Sequence, residues 1–175
     1  MVAVGSWRLA ADADTPPPPI SLLRGFDPRA RKRTLPLVVL GKSAQAFVGE
    51  VTAGRPRAAA LRELGRVGDV TIAVALYAFE AEADPRTVRE HLARASAWVI
   101  AAADPKDDRI WTTHLEDLNR WVDAQRPDVV IGLYGDPPPT STWRAYGGRT
   151  PVVADATAAK VLAELVRVQL RTAVG

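Results

Sequence analysis

The sequence contains no cysteine and only two histidines, His91 and His114. Without cysteine there is no disulfide framework, no thiolate metal site and no cysteine nucleophile. Two histidines are also too few for a histidine-rich metal centre. No run of 18 apolar residues occurs, and Asp12, Asp14 and four prolines interrupt the beginning of the chain where a secretory leader would need an apolar run. We therefore expect a soluble, cytoplasmic protein without a membrane span.

The 175 residues, 47% of them hydrophobic, suffice for one core. Residues 1–34 are predicted to form an N-terminal tail, because Pro16–Pro19 favour an extended polyproline II conformation and a basic stretch, 24–33, follows them. A short strand or hydrophobic anchor between Val2 and Leu9 is expected to pack back on the domain. Residues 35–175 are predicted to form that domain.

The basic stretch 24–33 raises the question of nucleic acid, since it carries five cations and a single acid. A short basic arm can bind nucleic acid or an acidic partner by releasing counterions. A solvated linker is the simpler interpretation of the same residues. Nucleic acid is therefore not the expected partner.

The rest of the chain alternates apolar strands with helical patterns, as in proteins with a parallel sheet. Strands are predicted in LPLVVLG, DVTIAVALYAF, SAWVIAAAD, PDVVIGLYGD and TPVVADAT. Helices are predicted in KSAQAFVGEV, RPRAAALRELGRVG, DPRTVREHLARA, RIWTTHLEDLNRWVDAQ and AAKVLAELVRVQL, with Asp84 as the N-cap of the third. The predicted fold class is α/β, a doubly wound, mainly parallel sheet of five to six strands with helices on both faces.

The triplet Gly-Lys-Ser at 41–43 follows the first of these strands, and ligands of such sheets bind beyond the carboxyl ends of the strands. A phosphate loop has the pattern G-x-x-x-x-G-K-[ST], because its backbone amides wrap round the phosphates. Here Pro36 stands at the place of the first glycine, and residues 37–40 belong to the strand. Lys42 and Ser43 remain candidate ligands for a nucleotide or anion at a helix N-terminus. The alternative is a solvated Lys42 and a capping Ser43.

The order of elements resembles the Ras-like small GTPase fold, in particular its bacterial gliding-motility type, over about Leu35–Leu170. The resemblance assigns Lys42 to the phosphate lysine, Ser43 to the magnesium-binding hydroxyl, and Asp136 in LYGD to the aspartate of the guanine-reading N-K-x-D motif. The D-x-x-G motif has no counterpart in YAFEAEADPR, and the S-A-K loop falls near VADAT, where only small residues correspond. The resemblance implies a P-loop GTPase-like fold with eroded nucleotide motifs.

Four further residues are candidates for binding. Asp104 in DPKDD is a candidate ligand for a divalent cation, although an acidic cluster before a helix is also typical of an N-terminal cap. Trp111 and Trp121 share a predicted helix and point roughly 80–100° apart, so they cannot both face the core fully. With Trp143, they are candidate partner-binding residues. The alternative is a wide buried helix face.

The sequence therefore predicts a non-catalytic GTPase-like domain, a pseudo-GTPase, that acts as a protein-binding regulatory or scaffold component. Its expected partner is a true GTPase or another copy of the chain, and no cofactor is expected. The alternative is a nucleotide-binding or hydrolysing protein with an atypical site at the carboxyl ends of the strands. That site would combine Lys42, Ser43, Asp104 and Asp136, would take GTP or GDP with magnesium, and any activity would resemble nucleoside-triphosphate hydrolysis.

Overall fold

The computed structural model describes seven stretches of the chain, which are 2–4, 7–9, 26–27, 29–80, 83–101, 129–136 and 151–172. The strands in these stretches are β1 Val2–Val4, β2 Trp7–Leu9, β3 Phe26–Asp27, β4 Lys32–Leu40, β5 Ala59–Val67, β6 Val70–Phe79, β7 Ala97–Ile100, β8 Val130–Tyr134 and β9 Val153–Asp155. The helices are α1 Ala44–Val51, α2 Pro85–Arg94 and α3 Ala158–Thr172. None of these three helices is both long and apolar enough to cross a lipid bilayer.

Six strands form one sheet in the spatial order β5-β6-β4-β7-β8-β9. β6, β4, β7, β8 and β9 run parallel to their neighbours, whereas the edge strand β5 runs antiparallel to β6. The short β3 adds an antiparallel pair to the beginning of β4. The prediction of an α/β fold with a mainly parallel sheet is thus confirmed, and an antiparallel edge strand is common in such sheets.

The helix predicted in RPRAAALRELGRVG is wrong, because most of that segment forms β5. A bulge after Glu63 gives β5 one extra residue, Leu64, relative to β6. The extra residue sets Ala60, Leu64 and Val67 at the spacing of a helix face, although all three pack against the same core cluster from a strand. The sequence feature that indicates a β-hairpin here, and not a helix, is the Gly-Asp pair at 68–69, which joins β5 to β6.

An apolar core covers each face of the sheet. In β4, Leu35, Leu37 and Val39 belong to one cluster, whereas Val38 and Leu40 belong to the other. The first cluster includes side chains of α1 and α3, and the second includes side chains of α2. Because successive side chains of a strand point to opposite faces, α1 and α3 lie on one face and α2 on the other.

Helix α2 begins as the sequence predicted. Asp84 is its N-cap, and the Asp84 carboxylate accepts hydrogen bonds from the Thr87 hydroxyl at 2.8 Å and from the Thr87 amide at 3.0 Å. These two bonds hold the pKa of Asp84 below its usual value. The cap satisfies a helix donor that has no partner within the helix.

The predicted strand or anchor between Val2 and Leu9 is a two-stranded hairpin, β1–β2, that forms a sheet of its own. β1 lies beside β5, and β2 lies beside α3. Helix α3 in turn packs closely on β8, since a Cβ on Gly132 would lie 2.8 Å from Cγ1 of Val161. This close approach fixes the beginning of α3 at the carboxyl ends of β8 and β9.

Candidate functional site

The exit of β4 is closed by hydrogen bonds of the main chain. The Gly41 amide donates to the Phe79 carbonyl at 3.1 Å, and the Ser43 amide donates to the Ala101 carbonyl at 2.9 Å. The Ala44 amide donates back to the Gly41 carbonyl at 3.0 Å. Gly41 has a φ of 121°, which lets the chain turn directly from the strand into α1. Three amides that lie where a phosphate loop would present its donors are therefore bonded to carbonyl oxygens.

Lys42 and Ser43 lie within this turn. Lys42 is exposed and Ser43 is half-buried. Ser43 is the N-cap of α1, but its side chain makes no capping hydrogen bond, and its backbone angles of φ −94° and ψ 11° differ from the usual extended cap. The helix thus begins without the side-chain cap that the sequence offered as one interpretation of Ser43.

One carboxylate, Glu50 on α1, connects three elements near the exits of β8 and β9. The Tyr134 hydroxyl donates to Glu50 Oε2 at 2.8 Å. The amide of Ala158, the first residue of α3, donates to Glu50 Oε1 at 2.9 Å. A negative charge at this place also complements the positive end of the α3 dipole. Glu50 therefore ties α1 to β8 and to α3.

Tyr134 is held from two sides, by a carboxylate and by an aromatic ring. Its ring centroid lies 5.1 Å from that of Phe47, and the two planes meet at 80°. Partial burial, the hydrogen bond to Glu50 and the charge of Glu50 raise the pKa of Tyr134 to about 12. The hydroxyl therefore stays protonated at neutral pH and acts as a donor to Glu50.

A second carboxylate, Asp155, lies beside Glu50 at the beginning of α3. Asp155 Oδ1 accepts a hydrogen bond from the Thr157 amide at 2.8 Å, which is the main reason that the pKa of Asp155 is lowered. Lys160 Nζ lies 3.7 Å from Asp155 Oδ2 and acts in the same direction. The amides of Thr157 and Ala158 are thus bonded to carboxylates of the protein itself, where an incoming anion would need them.

The predicted site residues that the structure describes share one edge of the sheet but follow different strands. Lys42 and Ser43 follow β4, whereas Asp136 is exposed after β8. β7 lies between β4 and β8, so the two exits are about 10 Å apart. Four other predicted residues, which are Asp104, Trp111, Trp121 and Trp143, lie outside the described residues.

A histidine packs between aromatic rings on the α2 face. The His91 ring centroid lies 4.9 Å from that of Tyr77 and 5.1 Å from that of Phe79. His91 Nδ1 lies 2.9 Å from the Thr87 carbonyl oxygen, one turn earlier in α2. The two ring contacts hold α2 against β6, whereas the contact with Thr87 lies within the helix. Within the seven described stretches, no three His, Asp or Glu side chains gather in a way that would hold a metal ion.

Sequence reasoning missed Glu50, although this residue organises the exits of β8 and β9. Its partners Tyr134 and Ala158 lie 84 and 108 residues further along the chain. No spacing or motif links such distant residues. The only sequence signal was indirect, in that Glu50 lies in the last turn of a predicted helix whose beginning lies at a strand exit.

No protein-family model matches the chain, and no curated protein is significantly similar to it. At this edge the described residues form a main-chain closure at β4 and a carboxylate clamp at β8 and β9, and Lys42 and Asp136 are exposed beside them. The clamp is defined here as Glu50 with Tyr134 and Ala158.

Proposed function

We propose that the chain is a non-catalytic GTPase-like domain, a pseudo-GTPase, that acts by binding proteins as a regulatory or scaffold component. One observation carries the proposal. The resemblance to a small GTPase would put nucleotide contacts at two places. At both, backbone amides already donate hydrogen bonds to carbonyl or carboxylate oxygens of the protein itself.

The end of the site where the phosphates would bind supports this proposal first. A phosphate loop binds through several backbone amides that point at the ligand. At the β4 exit the amides of Gly41, Ser43 and Ala44 point at carbonyl oxygens instead. These bonds belong to the backbone path itself, so a side-chain rotation does not release them. Opening a cradle here would require the turn to separate from the ends of β6 and β7.

The end of the site where a guanine base would bind supports the proposal independently. The resemblance puts the guanine-reading segments at residues 133–136 and 153–157. The clamp occupies the space between these segments, because Glu50 accepts from Tyr134 in the first and from Ala158 directly after the second. A base would have to displace a charge-assisted hydrogen bond at each contact. Both donors are therefore already hydrogen-bonded within the protein.

What the domain retains supports a protein-binding role. The sheet, its two apolar cores and its capped α2 are intact while the nucleotide contacts are replaced. A fold alone does not determine a function, so the role is assigned to surfaces rather than to the strand exits. A true GTPase or a second copy of this chain is the proposed partner.

Isothermal titration with GTP, GDP and ATP in the presence of magnesium tests the proposal. We expect no binding in the micromolar range to the full chain. Nucleotide released by acid from the freshly purified protein, analysed by chromatography, should also be absent in stoichiometric amounts. Micromolar binding or a co-purified nucleotide would overturn the proposal in favour of an atypical nucleotide site.

If the titration finds binding, the double variant Lys42→Ala, Asp136→Ala shows where the nucleotide binds. Both side chains are exposed at the sheet edge, so neither substitution removes a core contact. Affinity lost in this variant would assign the nucleotide to the atypical site. Affinity unchanged in this variant would assign the nucleotide to another part of the chain. Both results would contradict the pseudo-GTPase.

A further inference from the structure

The connection between α1 and β5, residues 52–58, is fastened to α1 by its own backbone. The Gly54 amide donates to the Gly49 carbonyl at 2.9 Å, and the Ala53 amide donates to the Glu50 carbonyl at 3.2 Å. This pair of bonds is a Schellman motif, in which the chain leaves a helix through a left-handed residue. That residue is Ala53, with a φ of 52°. The helix therefore ends in a defined turn.

Two further contacts hold the rest of the connection along α1. The Arg57 amide donates to the carbonyl of Gln45, in the first turn of α1, at 3.3 Å. A Cβ on Gly49 would lie 2.9 Å from the Pro56 nitrogen and 3.0 Å from the carbonyl carbon of Arg55, so only glycine lets the two backbones come this close. Pro56 also fixes its own φ and restricts the residue before it. The connection therefore runs back along α1 on one backbone path.

The fastened connection presents two arginines to the solvent. Arg55 and Arg57 are exposed, as are all residues from 53 to 59. Arg57 Nε lies 3.5 Å from the Arg55 carbonyl oxygen, and Arg57 Nη2 would lie 2.9 Å from a Cβ on Gly54. The Arg57 side chain therefore lies across Gly54, and both guanidinium groups extend from a fixed backbone.

The carboxylates nearest to these arginines in the sequence are engaged elsewhere. Glu50 belongs to the clamp, and Glu63 Oε1 accepts a hydrogen bond from Lys32 Nζ at 2.8 Å. Within the part of the chain that the structure describes, no carboxylate forms an ion pair with Arg55 or Arg57. The two positive charges therefore remain for a carboxylate that another molecule supplies.

We propose that the α1–β5 connection binds an acidic segment of a protein partner, with Arg55 and Arg57 pairing with its carboxylates. A guanidinium group binds a carboxylate through two parallel hydrogen bonds. A loop that is already ordered loses little conformational entropy when a partner binds, and arginine is enriched in binding hot spots. Because the surface is small and charged, the affinity is expected to be modest and to depend on salt.

The chemistry of the connection favours an acidic protein over nucleic acid. Residues 52–59 contain no aromatic side chain on which a base could stack. Loops that bind phosphate groups use their backbone amides, whereas the amides of Ala53, Gly54 and Arg57 already donate to α1. Recognition is left to the two guanidinium groups, whose paired donors fit the carboxylates of Asp and Glu side chains.

This surface rests on the proposed protein-binding role and gives the partner a chemistry. It lies at the carboxyl edge of the sheet, because the Ala78 amide, near the end of β6, donates to the Ala58 carbonyl at 2.7 Å. Its test measures peptide binding and needs no nucleotide. A chain that binds neither nucleotide nor acidic peptide would remove this surface alone, whereas nucleotide binding would remove the proposed function and leave the peptide result standing.

Fluorescence anisotropy with a labelled oligo-glutamate peptide tests the surface on the full chain. The peptide should bind at low salt, and its affinity should fall as salt is added. The double variant Arg55→Gln, Arg57→Gln should weaken binding by at least about tenfold. Absence of peptide binding at low salt, or an affinity that this variant leaves unchanged, would overturn the proposal.

Single-stranded DNA of the same charge as the peptide is the second probe. It should bind more weakly than the peptide, because the connection offers no stacking surface. DNA that binds more tightly than the peptide and loses its affinity in the same double variant would replace the acidic protein by nucleic acid as the partner.

Two matched controls remove the same charge elsewhere. Arg86→Gln, Arg94→Gln acts on exposed positions of α2, on the other face of the sheet. Arg24→Gln, Arg29→Gln acts in the basic stretch 24–33. Both controls should bind the peptide almost as the unmodified chain does. A loss in either control as large as that in the double variant would show that general positive charge binds the peptide, and would overturn the assignment to the connection.

Gly49→Ala separates the position of the arginines from their charge. It keeps both arginines but forces the connection away from α1, so the peptide should bind more weakly. Gly54→Ala, at an exposed position, displaces only the end of the Arg57 side chain and should have a smaller effect. Circular dichroism checks that Gly49→Ala folds, and Gly54→Ala supplies the comparison without a backbone clash. Unchanged affinity in the folded variants would refute the fastened connection as the binding element.

Discussion

The exit of β4 and the exits of β8 and β9 are closed in different ways. At β4, the amides of Gly41, Ser43 and Ala44 bond to backbone carbonyls. At β8 and β9, the side chain of Glu50 accepts from Tyr134 and Ala158. The first closure follows from the length of the turn, and the second depends on one residue.

This difference decides what a substitution can change. Replacing a side chain leaves the backbone bonds at β4 in place, whereas replacing Glu50 leaves two donors without their acceptor. The two closures share helix α1, whose beginning forms the β4 turn and whose end carries Glu50. Variants in α1 therefore separate a closure built into the backbone from a closure made by a side chain.

The largest effect is expected for Phe47→Ala, which removes a core side chain from the helix that the two closures share. Phe47 is fully buried in α1 and its ring meets Tyr134 edge to face. Removing a buried Phe side chain leaves a cavity, so the free energy of unfolding should fall by about 3–5 kcal/mol. Urea denaturation followed by circular dichroism measures this loss.

Phe47→Leu is the matched control for that experiment. It keeps most of the buried volume and loses only the aromatic contact, so its loss of stability should be clearly smaller, about 1–2 kcal/mol. Equal losses in the two variants would mean that the contact with Tyr134, rather than the filled volume, positions α1.

The next largest effect is expected for Glu50→Ala, which opens only the clamp. A carboxylate that accepts two hydrogen bonds is removed, and both donors are close enough to the surface to turn to water. The free energy of unfolding should fall by about 1–2 kcal/mol. The titration with GTP should still show no binding, because the backbone closure at β4 remains.

Glu50→Gln separates the charge of the clamp from its shape. The amide oxygen can keep one of the two hydrogen bonds. The free energy of unfolding should therefore lie between that of wild type and that of Glu50→Ala. Micromolar nucleotide binding by either variant would show that Glu50 alone keeps a nucleotide out, and the comparison between the two closures would then fail.

Much of the fold was predictable because apolar alternation and capping are local. Val70–Phe79 reads as a strand from its own residues, and Asp84 followed by Pro85 reads as the beginning of a helix. β5 was misread because Leu64, the bulged residue, changed a period of two into the spacing of a helix. Only pairing with β6 distinguishes the two.

The candidate site was predictable only in its outline. Sheet topology alone brings Lys42, Ser43 and Asp136 to one edge, since carboxyl ends of parallel strands share it. Sequence could also exclude the phosphate loop, because Pro36 and the strand after it leave no residues for one. It could not find Glu50, whose role depends on contacts that exist only after the sheet has formed.

A smaller, pH-dependent effect is expected from Tyr134. Its pKa is raised to about 12 in the folded protein, whereas an unfolded chain titrates near 10. The stability that the protonated hydroxyl provides is therefore complete below about pH 10 and is lost as the pH rises from about 10 toward 12. Tyr134→Phe should remove this alkaline loss and cost about 0.5–1 kcal/mol at neutral pH.

The tyrosinate absorbance of the folded protein checks the direction of this shift. Tyr134 should titrate late in wild type, and Glu50→Gln should bring its pKa part of the way back toward the usual value, because the neighbouring charge is gone while the burial remains. Late titration that persists unchanged in Glu50→Gln would mean that burial alone, and not the clamp, raises the pKa.

The smallest effect is expected for Lys42→Ala at the β4 exit. Lys42 is exposed and its side chain lies outside both apolar cores, so the free energy of unfolding should change by less than about 0.5 kcal/mol. Phosphate, added as the simplest anion, should bind neither wild type nor the variant, because the amides beside Lys42 are already bonded. Phosphate binding that is present in wild type and lost in Lys42→Ala would show that the backbone closure still leaves an anion site. Lys160→Ala, at the beginning of α3, is the control for a general loss of positive charge.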